Sequence, residues 1–543
     1  MAAPLDPKWW HTGVIYQIYP RSWADGNGDG FGDFDGITSR LDYLVDTLPA
    51  DAIWLSPFFP SPQADFGYDV SDYCEVDRVY GDLSSFDRFL AAAHTRGLKV
   101  IIDYVINHSS DQHPWFLESR SSRDDPKRDW YVWRDPNPDG GPPNNWMSLF
   151  GGRAWAWDES TGQYYLHSFL AEQPDLNWRN PEVEEAMFDA LRFWMDRGVD
   201  GFRIDVAHRP MKDPQLRDNP PALEVPEEAY KLNHEYAAFE HIYDAAHPDI
   251  HLLFRRLRQV VDEFEAISPR FTIGEIHEYD WRVWASYYGW DLGELHMPYN
   301  FVLLPTGMDP ARIRRAVERM EGVLPQGAWP NWVVGNHDEP RITQRLGWDA
   351  SKAAAVLVLT LRGTPTLYYG DEIGMLNVEI PADRQQDPWG RRMPGFGRDG
   401  CRTPMQWDRG RWAGFSAEDA AEPWLPVLEQ DRLSVAAQVG NPHSHLEMYR
   451  RLLVARRQSP ALQIGDVAFI DGLPDGVLGY RRTLDGEAVE VLLNLTDAES
   501  VVAFSGTVLA GTHSDRWDTM VEGSTVLRAW EAAVISSQTV YGS

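Results

Sequence analysis

The stretch Lys99-Val-Ile-Ile-Asp-Tyr-Val-Ile-Asn-His108 is a short apolar run that ends in polar residues. A continuous apolar run of this length is typical of a strand that is buried on both faces of a parallel sheet. Seven further segments share the pattern, which gives candidate strands at 14–20, 52–58, 99–105, 201–206, 271–276, 294–301, 332–338 and 365–373. Amphipathic helical patterns lie between them, most clearly at 84–96, 182–197, 250–264, 310–321 and 351–361. Eight strands with intervening helices predict an α/β fold, a parallel (β/α)8 barrel of the TIM type.

Long insertions divide the predicted barrel. The segment 107–178 follows the third strand and is rich in Trp, Pro, Gly and Asn, so we predict a small inserted domain there. The segment 207–246, after the fourth strand, is a second long connection. From 461 to 543 the pattern changes to short β-type runs with no clear helix, which predicts a C-terminal antiparallel β domain, a sandwich. The barrel itself would consist of residues 1–106 and 179–460.

The chain is strongly acidic. Its 50 Lys and Arg residues stand against 82 Asp and Glu, and the net charge of −32 repels phosphate backbones and anionic lipid. We therefore expect no nucleic-acid or membrane partner, and no run of 18 apolar residues predicts a membrane span. Cys74 and Cys401 are too few for a disulfide framework, and the first ten residues show no signal-peptide pattern, so we expect a cytoplasmic protein.

Carboxylates end four of the eight predicted strands. In a barrel of this type the chemistry lies at the C-terminal ends of the strands. The four acids are Asp103, Asp205, Glu275 and Asp338. Acids that converge repel one another and cost stability, so we expect them to serve a cationic ligand or a reaction. Arg203 lies two residues before Asp205, and strand alternation places both side chains on the same face.

Three chemistries use converging acids. A two-metal hydrolase would need more histidine ligands in metal-like spacing than the sequence supplies. An enolase-type site would need a Lys or His base together with Mg²⁺. Glycoside hydrolysis needs only a nucleophile and a proton donor, two carboxyl groups about 5–5.5 Å apart when configuration is retained. The 24 Trp residues favour this third chemistry, because flat aromatic faces fit the C–H faces of sugar rings.

Four segments resemble the four conserved regions of the α-amylase family of retaining glycosidases, in the same order and in the expected strands. They are Asp103-Tyr-Val-Ile-Asn-His108, Gly201-Phe-Arg-Ile-Asp205, Gly274-Glu-Ile276 and Asn336-His-Asp338. Gln173-Pro-Asp-Leu-Asn177 resembles a further signature of that family. Two more stretches, Ile15-Tyr-Gln-Ile-Tyr-Pro-Arg-Ser22 and Arg402-Thr-Pro-Met-Gln-Trp407, are similar to its α-glucosidase and oligo-1,6-glucosidase branch.

The resemblance implies a role for each catalytic acid. Asp205 would be the nucleophile, Glu275 the acid/base, and Asp338 the acid that binds sugar hydroxyls. Chemistry agrees with these roles, because Arg203 would lower the pKa of Asp205 and keep it ionised. Apolar neighbours of Glu275 would raise its pKa, as a proton donor requires.

The same resemblance implies a glucose-binding pocket. Its residues would be Asp65, Tyr68, His108, Phe150, Phe169, Arg203, His337 and Arg402. For the two phenylalanines, simple core packing is the alternative. Asp65 and Arg402 would pair at the far end of the pocket and close it around the terminal glucose.

The segment Asp25-Gly-Asn-Gly-Asp-Gly-Phe-Gly-Asp33 is an oxygen-rich loop after the first strand. Its alternating acids resemble a calcium loop, but its twelfth position is Gly36 and helices do not flank it, so it is not an EF-hand. In related glucosidases this loop holds structural Ca²⁺, and the resemblance implies as ligands Asp25, Asn27, Asp29, the carbonyl of Phe31, and Asp33. The alternative is a turn held by side-chain to backbone hydrogen bonds. No organic cofactor is expected.

The resemblance implies an exo-acting, retaining α-glucosidase that releases glucose from the non-reducing end of short α-glucosides. Val206 follows the nucleophile, and in this branch Val at that position goes with α-1,6 activity. The next residues, Ala207-His-Arg209, depart from the branch's usual apolar stretch. We expect isomaltose-type bonds to be accepted, with maltose and sucrose still open. An α-glucosyltransferase or a sugar isomerase on the same scaffold is the alternative, whereas an inactive binding protein is disfavoured because all three catalytic acids are present.

Overall fold

A computed structural model describes residues 6–223, 234–428 and 431–537 of the chain. Within these residues eight parallel strands form one sheet: β1 Ile15–Ile18, β2 Ala52–Leu55, β3 Lys99–Val105, β4 Gly201–Asp205, β5 Phe271–Glu275, β6 Met297–Tyr299, β7 Asn331–Trp332 and β8 Thr364–Tyr368. Hydrogen bonds connect them in the order β7-β8-β1-β2-β3-β4-β5-β6. The side-chain amide of Asn300 donates to the carbonyl of Asn331 at 2.6 Å and so joins the two ends of the sheet. The predicted barrel is confirmed.

Most of the strands are shorter than the sequence pattern predicts, and β6 and β7 differ most from it. β6 spans only Met297–Tyr299 within the predicted 294–301, and β7 ends at Trp332 rather than 338. Residues 333–338 leave the sheet as a loop although their first members are apolar and buried. The loop carries His337 and Asp338 to the C-terminal mouth of the barrel.

Helices follow most of the strands at the predicted places. They are Leu83–Thr95, Pro181–Arg197, Ile250–Asp262, Pro310–Val323 and Trp348–Thr360. The local sequence explains their starts, because Asp82, Asn180 and Asp309 each accept a hydrogen bond from a first-turn N–H group. Gly198 ends the second helix in the left-handed region, with φ at 106°. A further helix, His445–Gln458, leads to the C-terminal domain.

The connection between β3 and β4 forms a small sheet of its own. It contains the helix Pro114–Ser121 and the antiparallel strands Trp133–Arg134, Trp155–Asp158 and Gln163–Leu166. Buried Lys212 joins both ends of this connection to the segment after β4: its Nζ lies 2.9 Å from Asn107 Oδ1 and 3.0 Å from Asp175 Oδ2. The insertion is thereby held over the mouth of the barrel.

The segment after β4 is described except for residues 224–233, which lie within the predicted long connection 207–246. The C-terminal domain contains a six-stranded antiparallel sheet, Asp466–Phe469, Val477–Leu484, Glu487–Asn494, Ala532–Ser537, Gly506–Gly511 and Met520–Val521. Ser500–Ala503 and Ser524–Leu527 form a second sheet, and an apolar cluster that includes Val477 and Phe504 lies between the two. One short helix, Pro460–Ile464, was not predicted; Ser459 caps it and Pro460 opens it. Residues 538–543 lie outside the described part.

Cys74 and Cys401 are both free thiols, and Cys401 is buried. In the described ranges no helix combines the length and the apolar character that a membrane crossing requires.

Candidate active site

One guanidinium holds three of the four acids that the sequence places at strand ends. Arg203 on β4 lies beside Asp103 on β3 in the strand register. Its Nη1 is 2.8 Å from Asp103 Oδ1 and 2.6 Å from Asp205 Oδ1, and its Nη2 is 2.6 Å from Glu275 Oε2. All four side chains are buried. The predicted convergence of acids and the predicted contact between Arg203 and Asp205 are both present.

The fourth acid lies in a second group of charges. Asp338 Oδ1 accepts from Arg402 Nη2 at 2.7 Å and from Arg398 Nη1 at 3.1 Å. Its side chain is 26% exposed, more than the other three acids, and it faces the cavity. Asp338 is therefore paired with two guanidinium groups and still accessible, as an acid that accepts hydrogen bonds from sugar hydroxyls must be.

The far end of the pocket is closed by a different arginine from the predicted one. Arg398 Nη2 lies 2.7 Å from Asp65 Oδ1 and 2.7 Å from Asp387 Oδ1. Arg402 does not pair with Asp65, because its side chain is turned to Asp338 and its Nε donates to the His337 carbonyl at 2.8 Å. The predicted Asp65–Arg402 pair is wrong. Arg398 lies four residues before the motif that begins at Arg402. The sequence does not show which of the two arginines contacts Asp65.

Tyr68 lines the cavity next to the acids, and His337 lies directly behind it. Tyr68 Oη lies 2.6 Å from His337 Nε2 and 3.1 Å from Asp103 Oδ2, and the two rings are parallel with centroids 5.5 Å apart. Gln17 Nε2 lies 2.7 Å from His337 Nδ1. Burial lowers the pKa of His337 to about 3, so the imidazole is neutral. Gln17 lies in the motif quoted for β1, but no feature of that motif predicts its contact with His337.

His108 and two phenylalanines line the opposite wall. His108 Nε2 lies 3.1 Å from Gln173 Nε2, and Gln173 in turn donates to Asp65 Oδ2 at 3.3 Å. Burial lowers the pKa of His108 to about 4. Phe169 packs against His108 and Phe150, with centroids 5.1 and 5.6 Å away, and both phenylalanines are buried. They line the cavity and also belong to a small apolar core, so both interpretations hold for them.

These residues surround a cavity of about 750 Å³ at the C-terminal mouth of the barrel. The predicted residues that line it are Asp65, Tyr68, His108, Phe150, Phe169, Asp205, Glu275 and Asp338. Arg203, His337 and Arg402 are absent from the described lining; they are fully buried behind it and hold the acids. The sequence analysis missed four residues that line the cavity: Arg398, His277 and Phe301 in loops, and Trp389 in the short helix Pro388–Arg392.

The acids do not have the expected order of pKa values. Burial raises the pKa of Asp103 to about 6 and that of Asp205 well above its usual range, although Arg203 opposes both shifts. Burial also acts to raise the pKa of Glu275, but Arg203 and His277 outweigh it and hold this pKa low. Arg203 thus acts to lower the pKa of Asp205 as expected, but burial outweighs it, and the net shifts of Asp205 and Glu275 are opposite to the expected ones in the ligand-free protein. The reason is that Asp103 and Asp205 share Nη1, whereas Glu275 alone has Nη2 and also accepts from the Val206 N–H at 3.3 Å.

The predicted calcium loop is held by its own backbone. Asp25 Oδ1 accepts from Gly28 N–H at 2.6 Å, and its Oδ2 accepts from Gly30 N–H at 2.9 Å. Asp33 Oδ2 accepts from Gly26 N–H at 3.0 Å, and Oδ1 accepts from Gly36 N–H at 2.6 Å, which caps the helix Phe34–Ser39. Across the described residues no three Asp, Glu, His or Cys side chains converge as metal ligands would. The turn predicted as the alternative is therefore present, and the calcium ion stays a prediction.

Paired carboxyl groups at the C-terminal mouth of a (β/α)8 barrel, next to a closed cavity, define a glycoside hydrolase type of site. The family model of the α-amylase catalytic domain matches residues 17–465. The chain belongs to the α-amylase family of enzymes.

Known proteins resemble nearly the whole chain. A probable α-glucosidase of Rhizobium meliloti (strain 1021) is 46% identical over 510 residues, which cover 91% of this chain and 90% of that protein. An oligo-1,6-glucosidase of Heyndrickxia coagulans is 36% identical and covers 97% and 99% of the two chains. Among solved structures, the α-glucosyl transfer enzyme XgtA has a TM-score of 0.90 and 42% identity and covers 98% of this chain and 100% of its own. The trehalulose synthase MutB of Pseudomonas mesoacidophila MX-45 has a TM-score of 0.86 and 34% identity, with the same coverage.

Proposed function

We propose that the protein is an exo-acting, retaining α-glucosidase that releases glucose from the non-reducing end of short α-glucosides of the maltose and isomaltose type. The observation that carries this proposal is the closed end of the cavity. Arg398 bridges Asp65 and Asp387 there, and all three side chains are buried. This arrangement leaves room for the hydroxyls of one terminal glucose and blocks a further sugar. The relatives named α-glucosidase and oligo-1,6-glucosidase support the same substrate class.

In the first step the Asp205 carboxylate attacks the anomeric carbon of the bound glucose. A bond forms between that carbon and an oxygen of Asp205, and the glycosidic C–O bond breaks. Glu275 gives its proton to the departing oxygen, so the aglycone leaves as a neutral alcohol. In the second step Glu275 takes a proton from water, and the water oxygen attacks the anomeric carbon and releases Asp205. Two inversions give net retention.

The proton must be on Glu275 and not on Asp205 when the first step begins. The ligand-free arrangement favours the opposite, because the described residues give Glu275 three hydrogen-bond partners and Asp205 one. Arg203 contacts both acids, so one proton can be redistributed between them as the substrate enters and displaces water. In the glucosyl-enzyme Asp205 is esterified and carries no charge, which leaves Arg203 to Asp103 and Glu275.

The hydroxyls of the terminal glucose would meet charged acceptors and donors. Asp338 is the partly exposed acceptor, and Arg398 and Arg402 form ion pairs with it. Hydrogen bonds to ionised groups are shorter and stronger than those between neutral groups, and they fix the sugar over Asp205.

A panel of maltose, isomaltose, sucrose, trehalose and maltotriose, with products resolved over time, tests the proposal. We expect glucose from the short substrates, and from maltotriose we expect glucose plus maltose as the first products. Rapid shortening of long starch chains would show that the far end is open and would overturn the exo mode of action.

Glucosyl transfer is the second candidate. It is favoured by the similarity to XgtA, an α-glucosyl transfer enzyme. A transferase would use the same glucosyl-enzyme, but a sugar or another alcohol would replace water in the second step. In the same panel at high sugar concentration, transfer gives longer products, and it gives less free glucose than complete hydrolysis of the consumed substrate would. An isomerase, as the trehalulose synthase neighbours are named, would convert sucrose to another disaccharide with little free glucose.

We also propose that the Asp25–Asp33 loop binds a structural Ca²⁺. The donor chemistry fits, because all five predicted ligands offer oxygen and three of them carry a charge. Asp25 Oδ2 and Asp33 Oδ1 each accept one backbone N–H and keep a further lone pair for a cation, whereas Asp25 Oδ1 and Asp33 Oδ2 each accept two. The loop lies outside the cavity lining, so the ion would stabilise the fold and take no part in the reaction.

We propose the cytoplasm as the site of action, since Cys74 and Cys401 are free and a reducing compartment keeps such thiols reduced. Small α-glucosides would be the partners, and the net charge of −32 disfavours nucleic acid and anionic membrane surfaces. Cell fractionation with antibodies against the protein tests the location.

A further inference from the structure

Both oxygens of the Glu275 carboxyl group, the proposed acid/base, make hydrogen-bond contacts, and the two oxygens have different partners. Oε2 accepts from Arg203 Nη2 at 2.6 Å and from the Val206 N–H at 3.3 Å. Both of these donors are permanent, because a guanidinium and a backbone amide keep their protons in the working range of an enzyme. Protonation of Oε2 would cost at least one of these contacts. The transferable proton of Glu275 therefore belongs on Oε1.

Oε1 has a different neighbour. His277 Nε2 lies 3.0 Å from Oε1, within hydrogen-bond distance. A single proton lies between the two atoms. Either Nε2–H donates to an ionised Glu275, or a protonated Glu275 donates to Nε2 of a neutral imidazole.

The His277 ring is fixed in place from outside. It stacks on Phe301 with centroids 4.5 Å apart and planes 9° apart. His208 lies edge-on to it at 5.9 Å. The side chain of His277 is 43% exposed and lines the cavity, whereas Glu275 is only 5% exposed. The half-exposed imidazole is therefore held in one position, where it contacts the oxygen of Glu275 that carries the proton.

We propose that His277 is a positioning residue: it fixes the plane of the Glu275 carboxyl group and orients Oε1, the oxygen that carries the transferable proton. This inference rests on the proposed glycosidase function. Arg203 on one oxygen and His277 on the other leave the carboxyl group no freedom to rotate. The sequence analysis quoted Gly274-Glu-Ile276 and stopped one residue short of His277.

Other titratable groups face this pair and bear on its pH dependence. They are Asp103, Arg203 and Asp205 on β3 and β4, His208 after β4, Glu278 after His277, Tyr299 on β6, and His337 and Asp338 after β7. Burial raises the pKa of Glu278 to about 7, so it titrates in the range of interest. Burial keeps His208 and His337 neutral.

The direction of the effect follows from the contact. A hydrogen bond from His277 favours the ionised form of Glu275 and lowers its pKa. Glu275 must be protonated for the first step, so its ionisation sets the basic limb of the pH profile of kcat/KM. Removal of His277 should move that limb to higher pH.

The test compares His277→Phe, His277→Gln and the wild-type enzyme. Phenylalanine keeps the stacking on Phe301 and loses the hydrogen bond, whereas glutamine keeps an amide that can donate to Oε1. With maltose or isomaltose, we expect His277→Phe to move the basic limb up by about one pH unit. We expect kcat/KM at the optimum to fall about tenfold, and His277→Gln to lie between the two.

A second substrate separates positioning from a structural role. The p-nitrophenolate of p-nitrophenyl α-glucoside is a good leaving group and needs little help from an acid. For this substrate His277→Phe should lose less than about threefold in kcat/KM. Equal losses on both substrates with an unmoved basic limb would overturn the proposal.

Two controls sharpen the result. His251 and Glu294 form a similar pair outside the cavity lining, with Nδ1 2.7 Å from Oε2, so His251→Phe should leave the pH profile unchanged. In a Glu278→Gln background His277→Phe should give the same shift, which excludes Glu278 as its source. Activity of Glu275→Gln on maltose would instead contradict the proposed function, so the two failures are distinguishable.

Discussion

Two groups of acidic residues lie after barrel strands in this protein, and their negative charges are stabilised in different ways. At the ends of β3, β4 and β5, three acids contact the single guanidinium of Arg203. After β1, Asp25 and Asp33 accept backbone N–H groups from glycines of their own loop. Both groups are rich in Asp, and the sequence marks both as candidate sites.

The difference lies in what each arrangement leaves free. In the loop after β1, each carboxylate oxygen of Asp25 and Asp33 accepts a hydrogen bond from a nearby backbone N–H group. One guanidinium shared among three acids cannot match them equally, and the pKa values of Asp205 and Glu275 are driven apart. Unequal sharing gives carboxyl groups that can exchange a proton, whereas backbone capping gives a fixed shape.

The largest expected effect comes from removal of the nucleophile. Asp205→Ala should lower turnover by roughly 10⁴-fold while the protein still folds, because Arg203 keeps Asp103 and Glu275 as partners. Azide should restore part of the rate by attack from the emptied side and give β-glucosyl azide. Initial rates, thermal unfolding and product analysis check this. A variant that keeps its activity, or one rescued to the α-azide, would refute the role of Asp205.

The closed end of the cavity should show the next largest effect. Arg398→Leu leaves buried Asp65 and Asp387 without their cation, so we expect KM for maltose and isomaltose alike to rise by about tenfold or more, and a loss of stability. Arg402→Leu should leave the Asp65–Arg398 pair intact and act through Asp338. Arg398→Lys retains the charge and separates binding from folding defects. Exposed Arg391→Leu is the matched control and should behave like wild type. If only Arg402 mattered for binding, the assignment of the closed end to Arg398 would fail.

The loop after β1 should affect stability rather than the reaction. Removal of calcium by a chelator should lower Tm by about 5 °C, while the initial rate at low temperature changes little. Asp25→Asn should abolish the response to the chelator. Asp139→Asn is the matched control, since Asp139 also accepts a backbone N–H, from Gly141 at 2.9 Å, in an unrelated turn. An unmoved melting curve together with no metal in elemental analysis would leave the loop as a turn only.

The smallest expected effect is at Val206, where the active site also uses a backbone amide. Val206 has φ at 35°, a left-handed conformation that a β-branched residue rarely adopts, and its N–H points to Glu275. Val206→Thr keeps the shape and the strain but adds a hydroxyl beside the cleaved bond. We expect the ratio of isomaltose to maltose turnover to change about threefold, with the summed rate nearly constant. Equal changes on both substrates would show that Val206 does not distinguish linkages.

Much of the fold could be predicted because its signals are local. Continuous apolar runs mark buried parallel strands, and the acids at their ends converge wherever the strands close into a barrel. Arg203 and Asp205 could be paired because strand alternation alone brings them to one face. The shortening of β7 could not be foreseen, since residues 333–338 are as apolar as a strand at their start.

The rest of the site depends on how loops fold over the barrel. Whether Asp65 meets Arg398 or Arg402 is decided by the path of the chain after β8, and spacing does not reveal it. The order of the pKa values depends on which guanidinium nitrogen each acid reaches, and the spacing of residues along the chain does not reveal this. His277 follows β5 and would have been found by asking which polar residues flank each predicted catalytic acid.

The central claim is that Asp205 and Glu275 carry out glycoside cleavage in two steps with retention of configuration. Proton NMR of the first turnovers on p-nitrophenyl α-glucoside tests it most directly, because the anomers of the released glucose are resolved before they interconvert. The account predicts that α-glucose appears first and that the β anomer follows only by mutarotation. β-Glucose as the first product would contradict it.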